Sequence, residues 1–306
     1  MSKSRKFVIL AGPTATGKTR LAIQLAQVFP FRLISADSRQ VFRQADIVPG
    51  KDHPSFIDIA GVDICSPCQE SSVALWFKAI KPIAQSAWQH HQLPLFVGGT
   101  GFYLKTLTSN IETIAIPPNF KLRTKLSQAS VSQLQSQLNQ LDPHKFSQLN
   151  QSDRRNPRRL LRAIEIALYR QSHSSLPQID NPFLTADYLF FVLQPAKQFC
   201  HLIKKRVIQR LNQGAIAETK TLLQLCSRQA PVFQSLGYPS ILAYLDGKLT
   251  YSQLIEDWTT QECRYLKRQL TWFKKQANAI FLPSTSPTLF RDIVKYLQTW
   301  YDNTNI

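Results

Sequence analysis

Residues Gly12 to Thr19 read Gly-Pro-Thr-Ala-Thr-Gly-Lys-Thr, a complete match to the phosphate-loop pattern G-x-x-x-x-G-K-[ST]. The flanks are those that such a loop requires. Phe7-Val-Ile-Leu-Ala11 is a short apolar run of strand type, and Leu21, Leu25 and Val28 then recur at helical spacing. A strand that empties into a glycine-rich turn and opens a helix aims several backbone N–H groups at one point, where the helix dipole adds positive potential. Gly12, Thr14, Ala15, Thr16 and Gly17 are thus a candidate diphosphate cradle. Lys18 would reach the terminal phosphates, and the Thr19 hydroxyl is a candidate ligand for Mg2+. A glycine turn that happens to precede a helix is the plain alternative, and it leaves the full pattern unexplained. The chain is expected to bind a di- or triphosphate.

The same strand-to-helix grammar recurs downstream. Arg32-Leu-Ile-Ser35 reads as a second strand ending at Ala36-Asp37-Ser38. Val73, Phe77, Ile80 and Ala84 mark a helix in which Pro82 is expected to introduce a kink. Leu93-Pro-Leu-Phe-Val97 is a third strand that runs into Gly98-Gly-Thr-Gly101. This predicts an α/β fold, a doubly wound parallel sheet of the P-loop NTPase type, whose ligands gather at the carboxyl ends of the strands. Thr14–Thr19, Asp37–Gln40 and Gly98–Gly101 should therefore converge on one crevice.

At Ile116-Pro117-Pro118 the pattern changes to short helices rich in Gln and Ser. One carries Leu122 and Leu126, the next Val131, Leu134, Leu138 and Leu141. A third starts with Asn156 as cap and Pro157 at its first position, and should bury Leu160, Leu161, Ile164 and Leu168. Tyr188-Leu-Phe-Phe-Val-Leu193 is again a buried strand. The expected organisation is a helical insertion over residues 117–185, inside an α/β core formed by residues 1–116 and 186–306. The C-terminal part of that core reads as helical, with Leu266, Leu270 and Phe273 on one buried stripe.

Charge narrows the partners. The 306 residues are 43% hydrophobic, enough for an ample core, yet the net charge is +18 on a chain only 18% charged. Such an excess implies a polyanionic partner. Between Asn119 and Arg170 there are ten Lys and Arg against three acidic residues, densest from Asp153 to Arg162. On a continuous helix Arg155, Arg159 and Arg162 share a face, where like charges cost a few tenths of a kcal/mol per pair. A nucleic-acid backbone relieves that repulsion and releases counterions; a solvated basic face is the competing reading.

No stretch approaches the roughly 18 apolar residues of a membrane span. The basic start, Met1 to Phe7, runs straight into the first strand and does not read as a secretion signal. Five cysteines, an odd number, are then expected to sit in a reducing cytoplasm. Cys65-Ser-Pro-Cys68 has C-x-x-C spacing, but a structural zinc needs four ligands and no second pair is visible. His90-His91 reads as a helix end.

A nucleotide hydrolase usually carries a second acid at another strand end to hold magnesium. Here the third strand ends in Gly98-Gly-Thr-Gly101, and Asp37 is the only acid at a strand end near the loop. Three roles are open to it: base towards a nucleophile, outer partner of a magnesium ion, or cap of the following turn.

Six blocks in order along nearly the whole chain carry a resemblance. They are Gly12 to Thr19, Ile34-Ser-Ala-Asp-Ser-Arg-Gln-Val41, Val97-Gly-Gly-Thr-Gly-Phe-Tyr-Leu104, Arg159-Leu-Leu-Arg-Ala-Ile-Glu165, Leu236-Gly-Tyr238 and Lys267-Arg-Gln-Leu-Thr-Trp-Phe273. Together they resemble the tRNA dimethylallyltransferases, or tRNA isopentenyltransferases, of the IPP transferase family. The resemblance implies that the loop holds dimethylallyl diphosphate, with Mg2+ at Thr19. The N6 amine of an adenosine next to the tRNA anticodon would attack the allylic C1 and release diphosphate. It makes Asp37 the base and places Thr100 on the diphosphate near the reacting carbon. Asp37, Ser38, Arg39, Gln40 and Thr100 would face the extruded base. Arg123, Arg158, Arg159 and Arg162 would grip the anticodon stem-loop. A monomer without membrane attachment is expected.

The chain departs from the family pattern in three places. Val48-Pro-Gly-Lys51-Asp52 replaces the usual Gly-Thr-Ala-Lys-Pro after Asp46-Ile47. Glu262-Cys263 stands where the family has Thr-Arg, and neighbouring Arg264 lies about 100° round the helix. Leu202 takes a position that tends to be arginine. Competing activities are transfer of the same group to AMP or ADP, an ATP-dependent small-molecule kinase, and RNA binding without turnover. The charge favours RNA over the free nucleotide.

Overall fold

The computed structural model describes residues 5–51, 54 and 57–302, with the backbone alone at 302. The residues read above as the start of the chain, 1–4, and Asp52 lie outside the described residues. The chain divides into two compact units, one of residues 1–109 with 182–306 and one of residues 110–181.

The first unit opens with β1 (Lys6–Ala11), α1 (Lys18–Ala26), β2 (Phe31–Ser35), α2 (Val73–Gln89), β3 (Leu93–Gly98) and α3 (Gly101–Thr108). The second unit holds α4 (Phe120–Lys125), α5 (Val131–Leu141), α6 (Pro143–Gln148), α7 (Gln151–Arg154) and α8 (Pro157–Ser172). The first unit resumes with β4 (Asp187–Gln194), α9 (Phe199–Asn212), α10 (Ala215–Leu225), α11 (Tyr238–Leu245), α12 (Tyr251–Phe273), β5 (Ala279–Pro283) and α13 (Leu289–Asp302). The described strands form one five-stranded sheet in the order β2-β3-β1-β4-β5, and every pairing is parallel.

A parallel sheet must be covered on both faces, and the period of two along β1 shows how. Val8 and Leu10 join Leu21 and Leu25 of α1 and Ile293 and Leu297 of α13 in one core. Phe7 points the other way, edge-on to Phe96 and Phe183. Phe77 of α2 also meets Phe183. Side chains of this size contribute about 1.5–3 kcal/mol each when fully buried. Pro82 lies in the interior of α2, and His90 caps its C-terminus. Val28, expected on the buried face of α1, lies beyond its end and is 56% exposed.

β5 was not expected, since the C-terminal part read as helical. Ala279-Ile-Phe-Leu-Pro283 is a short edge strand, only half-buried, so its pattern is weak. Its proline falls on the last residue of that edge. The cysteines also differ from a set of free thiols. Cys68 is bonded to Cys226 across 158 residues, while Cys65, Cys200 and Cys263 are free. The C-x-x-C spacing thus pointed Cys68 at the wrong neighbour. Among the described residues no His, Cys, Asp and Glu cluster could hold a metal, and no helix is long and apolar enough to cross a membrane.

In the second unit α5 and α8 pack through Leu134, Leu138, Leu160, Ala163 and Ile164. Asn156 caps α8 by accepting hydrogen bonds from the backbone N–H groups of Arg158 and Arg159, with Pro157 at the first position. Leu161 and Leu168 are only half-buried. Arg155 precedes Pro157 and belongs to the end of α7, so it does not share a helix face with Arg159 and Arg162.

One backbone contact sets the strand ends in register. Gly98 lies so close to the Ala36 backbone that a Cβ would overlap the Ala36 carbonyl. Ala36 N–H donates to Val97 O at 2.8 Å and Thr100 N–H to Ala36 O at 3.2 Å. Gly98→Ala is expected to destabilise the fold by about 1–3 kcal/mol, the usual range for overpacking. Urea unfolding measures this; an unchanged midpoint contradicts the close approach.

Candidate active site

The carboxyl ends of β1, β2 and β3 face one crevice because the strands are parallel. After β1 the chain turns through Gly12, with φ 150°, and reaches the left-handed region at Ala15 and Gly17. A side chain on Gly12 would press on the Leu193 carbonyl. The Thr16 hydroxyl donates to Pro13 O at 2.9 Å and Lys18 Nζ donates to the same oxygen at 2.7 Å, so the loop is held in shape by its own side chains. α1 then begins at Lys18, behind a left-handed Gly17.

This turn forms one wall of a cavity of about 410 Å³. Thr14, Ala15, Gly17, Lys18 and Thr19 line it together with Asp37, Arg39 and Gln40 from the end of β2 and Gly98 and Gly99 from the end of β3. Gly12 and Thr16 shape the loop without lining the cavity. Burial lowers the Lys18 ammonium to a pKa of about 7; Asp37 opposes that shift, while Arg206 and Arg39 add to it. A bound anion would restore the full charge on Lys18.

Around Asp37 the side chains are tied to one another. Asp37 Oδ1 accepts the Arg39 backbone N–H at 3.0 Å. Thr100 Oγ1 accepts the Ser38 backbone N–H at 2.9 Å and donates to the Ser38 hydroxyl at 3.2 Å. The Tyr265 side chain is hydrogen-bonded to Thr100, and burial raises its phenol pKa. Gln40 is fixed at both ends of its amide: Oε1 accepts from Ser35 Oγ at 2.8 Å, and Nε2 donates to Gly50 O at 2.9 Å. Arg39 is buried, with its guanidinium on Glu262 at 2.8 Å and over the Tyr265 ring. It lines the cavity with this pairing in place.

The Lys267 to Phe273 block acquires a physical meaning here. Gln269 Nε2 donates to Gly99 O at 2.8 Å, and three residues on, Trp272 packs where a Gly101 side chain would be. One face of α12 thus clamps the turn that carries Thr100. The altered loop after Asp46 is held as firmly. Glu218 accepts the backbone N–H groups of Asp46, Ile47 and Val48 at 2.7, 2.6 and 3.1 Å, and Lys51 bridges Asp46 and Asp63.

Sequence reasoning missed the cations of α9. Lys205, Arg206 and Arg210 line the same cavity, beside Leu202. Arg206 and Arg210 stand four residues apart, one face of a helix, which was the available signal.

The basic residues of the second unit separate into two groups. Arg123 Nε and Nη2 donate to Glu165 Oε1 and Oε2 at 2.7 and 3.1 Å. Arg162 donates to Glu165 Oε2 at 3.0 Å and to the carbonyls of Thr113 and Ile116. Burial raises the Glu165 pKa, but the hydrogen bonds from Arg123, Arg162 and the Asn119 N–H outweigh it and the net shift is downward. Arg123 and Arg162 thus brace the buried Glu165 while keeping 28% and 31% of their side chains exposed. Arg159 pairs with Asp153 and stays 59% exposed along its side chain. Arg155 and Arg158 line an open cleft with Gln151, Ser152 and Asn156.

A scan against protein-family models matches residues 40–276 to IPP transferase. The chain is 31% identical over 302 residues to a tRNA dimethylallyltransferase of Anoxybacillus flavithermus, covering 96% of each protein. It is 33% identical over 300 residues to one from a Synechococcus strain, covering 96% of this chain and 86% of that one. Among solved structures, the full-length tRNA isopentenylpyrophosphate transferase of Bacillus halodurans superposes with a TM-score of 0.72 at 26% identity, over 99% of this chain and 98% of that one. A family model that spans most of the chain, and relatives above 30% identity along nearly all of it, establish that the chain belongs to the IPP transferase family.

Proposed function

We propose that this chain transfers a dimethylallyl group from dimethylallyl diphosphate to N6 of the adenosine next to the tRNA anticodon. The observation that carries this reading is the shared cavity: a phosphate loop and a strand-end carboxylate line the same space. In the reaction the N6 lone pair forms a bond to the allylic C1, the C1–O bond breaks, and diphosphate departs with the electron pair. Asp37 accepts the N6 proton. Asp37 lines the cavity together with Lys18, where an entering base would meet it. Lys18 and the loop N–H groups neutralise the departing diphosphate, a role that grows as charge develops on the leaving oxygen. Thr100, clamped by Ser38 and Tyr265, fixes the turn next to the reacting carbon.

Mg2+ belongs to the same proposal. Thr19 offers a hydroxyl on the cavity wall with Asp37 as the nearby acid, a donor set that suits a cation whose other ligands are phosphate oxygens and water. The ion, when bound, would add charge neutralisation at the diphosphate. The polyanionic partner is tRNA, supported by the +18 net charge and by the exposed Arg155, Arg158 and Arg159. A cytoplasmic setting and a monomer complete the reading; the Cys68–Cys226 bond is uncommon for that compartment.

Transfer of labelled prenyl groups from dimethylallyl diphosphate to unmodified tRNA tests the activity, with AMP, ADP and ATP in parallel. Label on tRNA alone is expected; label on a free mononucleotide would replace the proposed acceptor. Asp37→Ala is expected to lower the transfer rate at least about a hundredfold, within the usual contribution of a general base, with tRNA affinity nearly unchanged. Normal turnover in that variant removes Asp37 as the base. Arg155→Ala combined with Arg158→Ala should weaken tRNA binding and reduce its salt slope by about one per lost phosphate contact. An unchanged slope, measured by filter binding across salt concentrations, makes that cleft an ordinary solvated surface.

A further inference from the structure

Two of the places where this chain departs from its family meet in space, and what joins them is one arginine. Arg210 on α9 is 3% exposed and lies on the wall of the diphosphate cavity. Its guanidinium rests on Gly50, so closely that any Cβ there would overlap it, and Gly50 has a φ of +72°. Gly50 belongs to the altered Val48-Pro-Gly loop, whose backbone Glu218 and Gln40 hold in place. On its other side Arg210 Nη1 stands 3.6 Å from Glu262 Oε1. Glu262 is the first residue of the altered Glu-Cys pair.

The same carboxylate oxygen accepts from Arg39 Nη1 at 2.8 Å, and the Trp258 indole N–H approaches it at 3.4 Å. Glu262 is 2% exposed, so both pairings are desolvated and depend on this geometry. Cys263 cannot stand in for the arginine expected at its position. Burial, reinforced by the contact with Cys200, pushes its thiol up to about 12, so it is neutral under ordinary conditions. The cavity nevertheless keeps its positive wall, because Arg210 enters from a different helix.

We propose that Glu262 is a positioning residue that holds Arg210 against the diphosphate cavity, so that Arg210 supplies positive charge there. This rests on the reading of the cavity as a diphosphate site. Gly50 and Glu262 then form one device: the glycine leaves room for the guanidinium and the carboxylate fixes its direction. A carboxylate beside an anion site repels the anion, so its presence is favourable only if it orients more positive charge than it cancels.

That gives the test a sign. Inorganic diphosphate is titrated calorimetrically into the full chain and into Glu262→Gln, Arg210→Gln and the double variant, with each fold checked by circular dichroism. Arg210→Gln is expected to weaken binding by about tenfold or more, the range for losing a charge-assisted hydrogen bond. Glu262→Gln should also weaken it, by a smaller factor, and should have no weakening effect in the Arg210→Gln background. Equal or tighter binding by Glu262→Gln, or the same loss in both backgrounds, overturns the proposal. If Glu262→Gln does not fold, Arg210→Gln decides, since unchanged affinity there overturns it as well. Prenyl transfer by the unsubstituted chain is scored separately. Diphosphate binding without transfer contradicts the proposed function and leaves this assignment standing, whereas no diphosphate binding removes both.

Discussion

The contact of Gly98 with the Ala36 backbone is the constraint on which the site depends. It brings the end of β3 against the end of β2 with no side chain between them. Asp37 and Ser38 follow β2 and Thr100 follows β3, and the Ser38 N–H closes the pair by donating to Thr100. The phosphate loop is carried by β1, which pairs directly with β3. Three loops distant in sequence thus become one surface through parallel pairing and one glycine. α12 completes the arrangement from outside, with Gln269 on the Gly99 carbonyl and Trp272 over Gly101. The block that looked only like a family signature is the clamp on the turn.

Electrostatics in this cavity are managed by pairing, since buried charges without partners are costly. Burial pulls the Arg39 guanidinium pKa down, yet Glu262 and Asp37 outweigh that and keep it firmly charged. Lys18 goes the other way, towards neutrality, because burial and neighbouring arginines dominate over Asp37. Within the cavity the charge of Lys18 is therefore the one most sensitive to what binds there. A diphosphate would draw that charge out on binding. The second unit follows the same rule on a smaller scale: the buried Glu165 is paired with both Arg123 and Arg162, while Arg155, Arg158 and Arg159 are exposed.

What the sequence disclosed was local. The phosphate loop, the strands β1 to β4 and the Asn156-Pro157 start of α8 each carry their signal within a few residues. β5 escaped because a half-buried edge strand has neither alternation nor a long apolar run. The pairing of Arg123 and Arg162 with Glu165 went unseen because an arginine reads alike whether its partner is a phosphate or a carboxylate, here 42 residues from Arg123 and three from Arg162. The Cys68–Cys226 bond and the Arg39–Glu262 pair span 158 and 223 residues, and no periodicity points across such distances. Leu202 and Cys263 registered as losses, whereas Arg210, on the wall of the same cavity, sat unmarked in an ordinary basic helix.

In the proposed function one cavity receives a prenyl diphosphate and an RNA base, and its phosphate loop does not serve ATP. The most direct measurement is calorimetric titration of the chain with a non-transferable thio analogue of dimethylallyl diphosphate, alone and in the presence of an anticodon stem-loop, with ATP as competitor. Analogue and stem-loop are expected to bind together, with ATP displacing the analogue only weakly. Tight ATP binding that excludes the analogue, with the stem-loop indifferent to either, would contradict the proposed function.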